Sequence, residues 1–469
     1  MTTALAPDVD TRDPLQRLAD LADPGTLDVD AVGAGSVGSA GSGVAAGLAR
    51  LHGAPTVVFA TDPRVQGGAL GGRGADRIAA AYDDALARCL PIVGVWQSGG
   101  ARLAEGVASL DGMGRIFAAM VRASGTVPQV SLVLGPAAGG AAYGPALTDL
   151  VVTGPGARVF VTGPDVVRSV TGEDLDAEAL GGPGVVAASG VAHVTAASDS
   201  EALAETRRLV ALLARPTVPA PVHRGPDPGA CLPESRRRAY DVRPLVDALL
   251  DGPLLALQPR WAPNVVTGLG RLEGRTVGVL ATNPLRLAGC LTASASEKAA
   301  RFVRLCDGLG VPLVVVVDVP GYLPGGRQEA EGVVRRGAKL LHAFAAASVP
   351  RVTVITRKAY GGAYIALNSR ALGATRVLAW PGAEVDVMSP VAAVQVLRRR
   401  ELAAVPAAGR AAAEASYAAA HAATTGGLAR ALDEGYVDEV VAPGDTRAAL
   451  AAAFAAAPAA RGRLGNIPL

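Results

Sequence analysis

Short apolar runs recur along this chain, and the most regular of them end in glycine-bearing turns. Val130-Ser131-Leu132-Val133-Leu134 leads into Gly135-Pro136-Ala137-Ala138-Gly139-Gly140-Ala141-Ala142-Tyr143-Gly144, and Val352-Thr353-Val354-Ile355-Thr356 leads into Arg357-Lys358-Ala359-Tyr360-Gly361-Gly362-Ala363-Tyr364. Each reads as a β-strand, a turn and an Ala-rich helix start. Pro91 to Trp96 is apolar without alternation, as in a strand covered on both faces. Between these runs lie helical patterns at Pro14 to Leu21 and Ala75 to Ala87, and one opened by the capping box Ser198-x-x-Glu201. Leu402 to Ala423 continues the series but is interrupted by Pro406. Strands alternating with helices predict an α/β fold.

The pattern repeats. Arg50-Leu51-x-Gly53 with Thr56 to Thr61 returns as Arg271-Leu272-x-Gly274 with Thr276 to Thr282, and Pro91 returns as Pro312, both at an offset of 221. Pro128 matches Pro350 and Gly139-Gly140 matches Gly361-Gly362 at an offset of 222. One Gly-Gly after a strand would mean only a close helix–strand contact; landmarks holding nearly one spacing over about a hundred residues mean a duplicated domain. A helix start offers free N–H groups that favour negative charge. Two such turns predict two backbone oxyanion holes.

The loops beside them are less regular. Gln66-Gly67-Gly68-Ala69-Leu70-Gly71-Gly72 is too glycine-rich for a helix and predicts a loop near a ligand. Gln97-Ser98-Gly99-Gly100-Ala101-Arg102 ends its strand on the side where open α/β sheets bind ligands, with Asp318 to Gly325 as its counterpart. Ser98 lacks a Gly-x-Ser-x-Gly elbow, which argues against a nucleophile. Gly33 to Gly43 predicts a flexible connector or a glycine-rich strand edge, and Pro216 to Pro244, with Arg236-Arg237-Arg238, an interdomain linker.

At 469 residues the chain fits two domains, and a net charge of +2 carries no nucleic-acid signature. No apolar run is long enough for a membrane span and the start is unlike a signal peptide, so the expected location is cytoplasmic. Cys89, Cys231, Cys290 and Cys306 form no CxxC pair and are expected as buried small hydrophobes, with no metal site. His52, His193, His223, His342 and His421 are scattered and suggest no acid/base pair.

Ser98-Gly99-Gly100-Ala101-Arg102 with Glu105-Gly106-Val107, Thr162 to Val166 with Val170 to Glu173, Ala295 to Phe302, Arg335 to Lys339 and the final Gly465-Asn466-Ile467-Pro468-Leu469 make this chain resemble the carboxyltransferase (β) subunits of biotin-dependent acyl-CoA carboxylases, the propionyl-CoA/acetyl-CoA carboxylase family. The resemblance implies two tandem crotonase-like (ClpP/crotonase) domains, 1–235 on the acyl-CoA side and 236–469 on the biotin side. It implies a homohexamer, a dimer of trimers, with active sites between the N-domain of one subunit and the C-domain of another. Gly139 and Gly140 would hold the enolate oxygen of the acyl-CoA, and Gly362 and Ala363 the ureido oxygen of biotin. Ser98, Gly99, Gly100, Ala101, Arg102, Tyr143 and Ile365 would line the substrate. The family pattern departs at Gly72, where glutamate is usual, and at Val387-Met388-Ser389-Pro390.

The implied reaction moves a carboxyl group from carboxybiotin to the α-carbon of a short-chain acyl-CoA, acetyl or propionyl. Ile365 stands where propionyl-type members often carry Asp and acetyl- or broad-range members a branched apolar residue. Met1, Met113, Met120 and Met388 do not flank a lysine as at a biotin attachment site, so biotin is expected on a partner, an α subunit with biotin carboxylase and biotin carrier domains. A decarboxylase or transcarboxylase subunit would use the same residues, and a non-catalytic structural partner of an active paralogue is the alternative of another class.

Overall fold

His52 and Gly53 sit between two apolar runs with φ of +48° and +78°, the mirror-image geometry that joins strands two residues apart. They connect β1 (Val44–Leu51) to β2 (Ala54–Thr61) in antiparallel register from Val44↔Thr61 to Leu51↔Ala54. The Asp23 carboxylate accepts both turn N–H groups, from His52 at 3.0 Å and from Gly53 at 2.7 Å. The remaining strands of this sheet run parallel: β3 (Ile92–Ser98), β4 (Gln129–Ala138), β5 (Leu150–Thr153), β6 (Arg158–Phe160) and β7 (Val194–Thr195). The order is β1-β2-β3-β4-β5-β7, with β6 paired to the far end of β4. The computed structural model describes residues 10–29, 31, 32, 41–219, 225–236 and 238–468. The acidic lead before Asp10, most of the Gly33–Gly43 stretch, His223, Arg237 and Leu469 lie outside the described residues.

The core of this first unit lies between the sheet and the helices Gly72–Arg88 and Val107–Ala123, which pack side by side. Trp96 meets Phe59 edge-on, 5.3 Å between centroids. A Cβ at Gly94 would come within 2.3 Å of Phe59 Cζ, so the aromatic pair needs glycine there. The predicted helix Pro14–Leu21 forms with Asp13 as its cap, and Gln66–Gly68 is a single 3₁₀ turn before Gly72. Ser198 accepts the Glu201 N–H at 3.1 Å, while Glu201 reaches Ala197 N–H rather than the Ser198 N–H of a strict capping box.

The second unit repeats the plan. Its strands are β8 (Leu255–Leu257), β9 (Val265–Leu272), β10 (Arg275–Thr282), β11 (Leu313–Val319), β12 (Arg351–Tyr360), β13 (Arg376–Ala379), β14 (Glu384–Asp386) and β15 (Glu439–Val440). They are ordered β15-β13-β12-β11-β10-β9-β8, with β14 on the far end of β12. Glu273 and Gly274 turn the β9–β10 hairpin at φ +49° and +75°, and Asp251 accepts both N–H groups. Pro406 separates helices Arg399–Ala404 and Ala407–Thr425, as its missing N–H requires.

The units divide at Pro216/Thr217, because Thr217 already bridges Arg275 and Val218 N–H donates to Gly274 O. Residues 464–468 belong with the first unit, where Asn466 is buried and donates to Ser124 Oγ and Asp149 Oδ1. No helix among the described residues is long and apolar enough to cross a membrane. Of the cysteines only Cys306 is buried; Cys89 is exposed, contrary to expectation, because it ends a helix in the left-handed conformation where the second copy uses Gly310.

Candidate active site

Both strands that lead into the glycine turns carry the same irregularity. On β4 the register passes from Trp96↔Val133 to Ser98↔Ala137, and on β12 from Val317↔Ile355 to Val319↔Ala359. Each bulge places two extra residues on the strand that carries the turn, bending its end out of the ladder. Gly139 then takes φ +56°, ψ −125° and the helix Gly140–Leu147 begins; Gly361 takes φ +59° and begins Gly361–Ala366. Only glycine adopts the Gly139 conformation without strain.

The N–H groups are not all alike. Gly139 N–H donates to the carbonyls of Phe160 and Val161, at 3.2 and 3.1 Å, so the expectation that it holds an oxyanion is corrected: β6 has already claimed it. Gly140 and Ala141 are the first two helical residues, and first-turn N–H groups have no acceptor within their own helix. In the second unit Ala363 is buried, and a Cβ at Gly362 would meet nothing within 4 Å, so that turn opens onto free space. Tyr143 and Ile365, at the same offset of 222, are about half exposed on the rims of their turns.

The loop Ser98–Arg102 meets the first turn through Gly100. Its φ is +95°, and a Cβ there would lie 2.7 Å from Ala138 O and 3.7 Å from Gly140 N. Ser98 is enclosed, donating its hydroxyl to Gly68 O at 2.6 Å and accepting Gly100 N–H at 3.2 Å. Its hydroxyl therefore fastens two loops rather than facing a ligand. Leu70 N–H donates to Gly100 O, Arg102 N–H to Leu70 O and Gly99 N–H to Gly67 O, which laces Gln66–Gly72 onto Ser98–Arg102 around Ala101. The second copy repeats the lacing, with Leu291 N–H donating to Gly321 O and Leu323 N–H to Leu291 O.

Arg102 is turned inward, donating to Glu105 Oε1 at 2.9 Å and to Ala69 O at 3.2 Å. Glu105 accepts the Gly72 N–H at 2.8 Å, and a Cβ at Gly71 would lie 2.0 Å from its Oε1. That N–H and the Arg102 guanidinium hold the Glu105 carboxyl below the usual range. A carboxylate thus covers the helix start at Gly72, a contact that spacing could not reveal.

His193 is buried and its Nδ1 accepts the Val151 N–H at 3.1 Å. Tyr360, just before Gly361, donates to Glu384 behind the turn, and burial followed by that carboxylate pushes its hydroxyl up. Among the described residues no three His, Cys, Asp or Glu side chains gather as a metal would need.

A carboxyl transferase domain model matches residues 28–464. The biotin-dependent acetyl-/propionyl-coenzyme A carboxylase beta6 subunit of Mycobacterium tuberculosis is 56% identical over 99% of this chain and 98% of its own length. The propionyl-CoA carboxylase beta chain of Rhodococcus erythropolis is 53% identical over 98% of this chain and 97% of its own length. Among solved structures, transcarboxylase 12S, described as a hexamer with methylmalonyl-coenzyme A and methylmalonic acid bound, superposes with a TM-score of 0.89 at 37% identity, over 97% of this chain and 92% of that one. The duplicated sheets are therefore tandem crotonase-like domains, and the two bulged strand ends with their glycine turns fall inside the matched span. On these matches, end to end and above half identity, the chain belongs to the carboxyl transferase domain family.

Proposed function

We propose that this chain is the carboxyltransferase subunit of a biotin-dependent acyl-CoA carboxylase, moving a carboxyl group between biotin carried by a partner and the α-carbon of acetyl- or propionyl-CoA. The observation that carries this reading is the pair of equivalent turns, each at a bulged strand end with a helix start beyond it. Biotin, when bound, supplies the carboxyl group and a ureido nitrogen able to take the α-proton of the thioester. The free space over Gly362, beside a Gly361 whose added Cβ would meet Val387 O, fits such a group. The chain itself then needs to bind, exclude water and stabilise charge on oxygen.

At the first turn Gly140 and Ala141 N–H would receive the thioester oxygen as it becomes an enolate, with Gly139 supplying the bend. At the second, Gly362 and Ala363 N–H would receive the ureido oxygen. Preorganised donors act best against charge that develops during reaction, and one donor is worth about 2.7 to 4 kcal/mol. Gly99, Gly100 and Ala101 would wall the thioester side, held by Ser98 and Arg102, while Tyr143 and Ile365 bound the acyl group. On this reading the first unit, through Pro216, serves the acyl-CoA side and the second, from Thr217, the biotin side, rather than dividing at 235/236.

The same reading includes a cytoplasmic homohexamer, a dimer of trimers, working with a biotin carboxylase/biotin carrier α subunit. Leu103, Val107, Val396 and Leu397, all strongly exposed, are surface that assembly would cover. The likeness to transcarboxylase 12S favours one second reading, a subunit running the same transfer between two acyl compounds. A non-catalytic partner is disfavoured because both turns are complete.

The test is turnover by the purified chain. With methylmalonyl-CoA and free biotin it should release or transfer the carboxyl group slowly; with ATP, bicarbonate and acyl-CoA alone it should be inert. ATP-dependent carboxylation by this chain alone would overturn the partner assignment, and a folded chain inert in both assays, even with its copurified biotinylated partner, would favour the non-catalytic reading.

A further inference from the structure

The bulge before each glycine turn faces one polar side chain, and the two copies differ there in charge. Gln97 stands opposite residues 134–136 of β4, and Asp318, at the repeat offset of 221, stands opposite residues 356–358 of β12. Their backbones are fastened alike. Gln97 N–H donates to Thr61 Oγ1 at 2.9 Å and the Thr61 hydroxyl to Gln97 O at 2.9 Å. Asp318 N–H donates to Thr282 Oγ1 at 2.8 Å and the Thr282 hydroxyl to Asp318 O at 3.0 Å.

The side chains part company. Gln97 lies against Gly135, whose Cβ would come within 2.4 Å of its Cδ, and its Oε1 accepts from Arg17 Nη2 at 2.8 Å. It makes no hydrogen bond to the bulge. Asp318 grips β12 twice: Oδ1 accepts the Lys358 N–H at 3.2 Å, and Oδ2 lies 3.5 Å from Arg357 Nε. Arg357 is held in turn, donating to Arg238 O at 3.0 Å and lying 5.5 Å above the Tyr240 ring. Asp318 is 4% exposed, and the buried Tyr240 hydroxyl also bears on its carboxylate.

Burying a carboxylate is costly even when it is paired, and the first copy shows that an uncharged glutamine can occupy this position. What the charge adds is a hold on residues 357 and 358, immediately before Ala359, Tyr360 and the second turn. We propose that Asp318 is a positioning residue for that turn: its carboxylate clamps Arg357 and the Lys358 N–H and thereby sets the direction in which Gly362 and Ala363 present their N–H groups. The inference rests on the reading that this turn serves the biotin side.

The experiment compares wild type, Asp318→Asn and Asp318→Ala in biotin-dependent decarboxylation of methylmalonyl-CoA, with free biotin as the probe, alongside assembly mass and melting temperature. Asparagine keeps an acceptor for Lys358 N–H but loses the charge facing Arg357; alanine loses both. The expected result is a graded fall in kcat, roughly tenfold for Asn and on the order of 100-fold for Ala, since misplacement by about 1 Å is enough for the larger loss. KM for methylmalonyl-CoA should stay within about twofold, because the first turn is untouched, and the oligomer should persist. Unchanged kcat in folded variants would overturn the proposal. So would an Asn variant that melts or dissociates in step with its activity, which would leave Asp318 a purely structural role. A raised KM for methylmalonyl-CoA with unchanged biotin dependence would sink both the proposal and the assignment of this unit to biotin, whereas absent biotin-dependent turnover in wild type would sink the proposed function itself.

Discussion

Gly362→Val separates the oxyanion hole from the stability of its surroundings. A Cβ at Gly362 meets nothing within 4 Å, so the branch point of valine is accommodated, and as the second residue of a short exposed-faced helix it should change stability by no more than about 0.5 kcal/mol. Gly140 is a less clean site, because its Cβ would come within 2.6 Å of Met113 Cε and the thioether would have to move. The valine methyls would instead stand in the space where the ureido oxygen is proposed to sit. Valine keeps its backbone N–H but holds the oxygen away from it, and forfeiting one such contact should cost about 2.7 to 4 kcal/mol, a fall of roughly 10² to 10³ in kcat. The assay is initial-rate decarboxylation of methylmalonyl-CoA with free biotin, run beside differential scanning fluorimetry and assembly mass. A folded Gly362→Val oligomer that turns over within a few-fold of wild type would refute the placement of an oxyanion at this turn.

Acetyl- and propionyl-CoA should both be accepted, since one methylene in an apolar pocket is worth only about 1 to 3 kcal/mol, and Ile365→Asp should shift their kcat/KM ratio by about tenfold or more. Activity confined to branched or long acyl-CoA would contradict this. Lys298 is buried with Nζ donating to Gln258 O, Trp261 O and Val265 O, and burial pushes its ammonium down to about 7. The unfolded lysine then binds more protons than the folded one between pH 7 and 10.5, so Lys298 should make stability rise with pH across that window and fall as pH drops toward 7. The three carbonyls favour the ammonium, so the rise between pH 7 and 9 should be at most about 2 kcal/mol relative to Lys298→Met in urea titrations; a difference that shrinks with pH would contradict the sign. Alanine at each cysteine should leave kcat unchanged, with only buried Cys306 expected to lower the melting temperature, and loss of activity from any of the other three would reopen the question of a thiol role.

The sequence by itself determined the duplicated strand–turn–helix plan, because those features are local. Apolar runs too short for helices became β3, β4 and β12, and glycines at 53, 139, 274 and 361 took positive φ angles that cost glycine little. The offset of 221 relates Gln97 to Asp318, but only the folded sheet shows that each faces a bulge. What only the tertiary structure decided are the partners of particular polar atoms. Asp23 and Asp251 clasp equivalent hairpins from positions 228 residues apart, outside the repeat spacing. Gly139 N–H goes to the end of β6, Glu105 covers a helix start 33 residues upstream, and Ser98 turns inward to Gly68. Residues 464–468 return to the first unit, where Asn466 is bound. A local conformation follows from the residue's own sterics and its immediate neighbours, but which donor meets which acceptor depends on loops brought together by the folded chain.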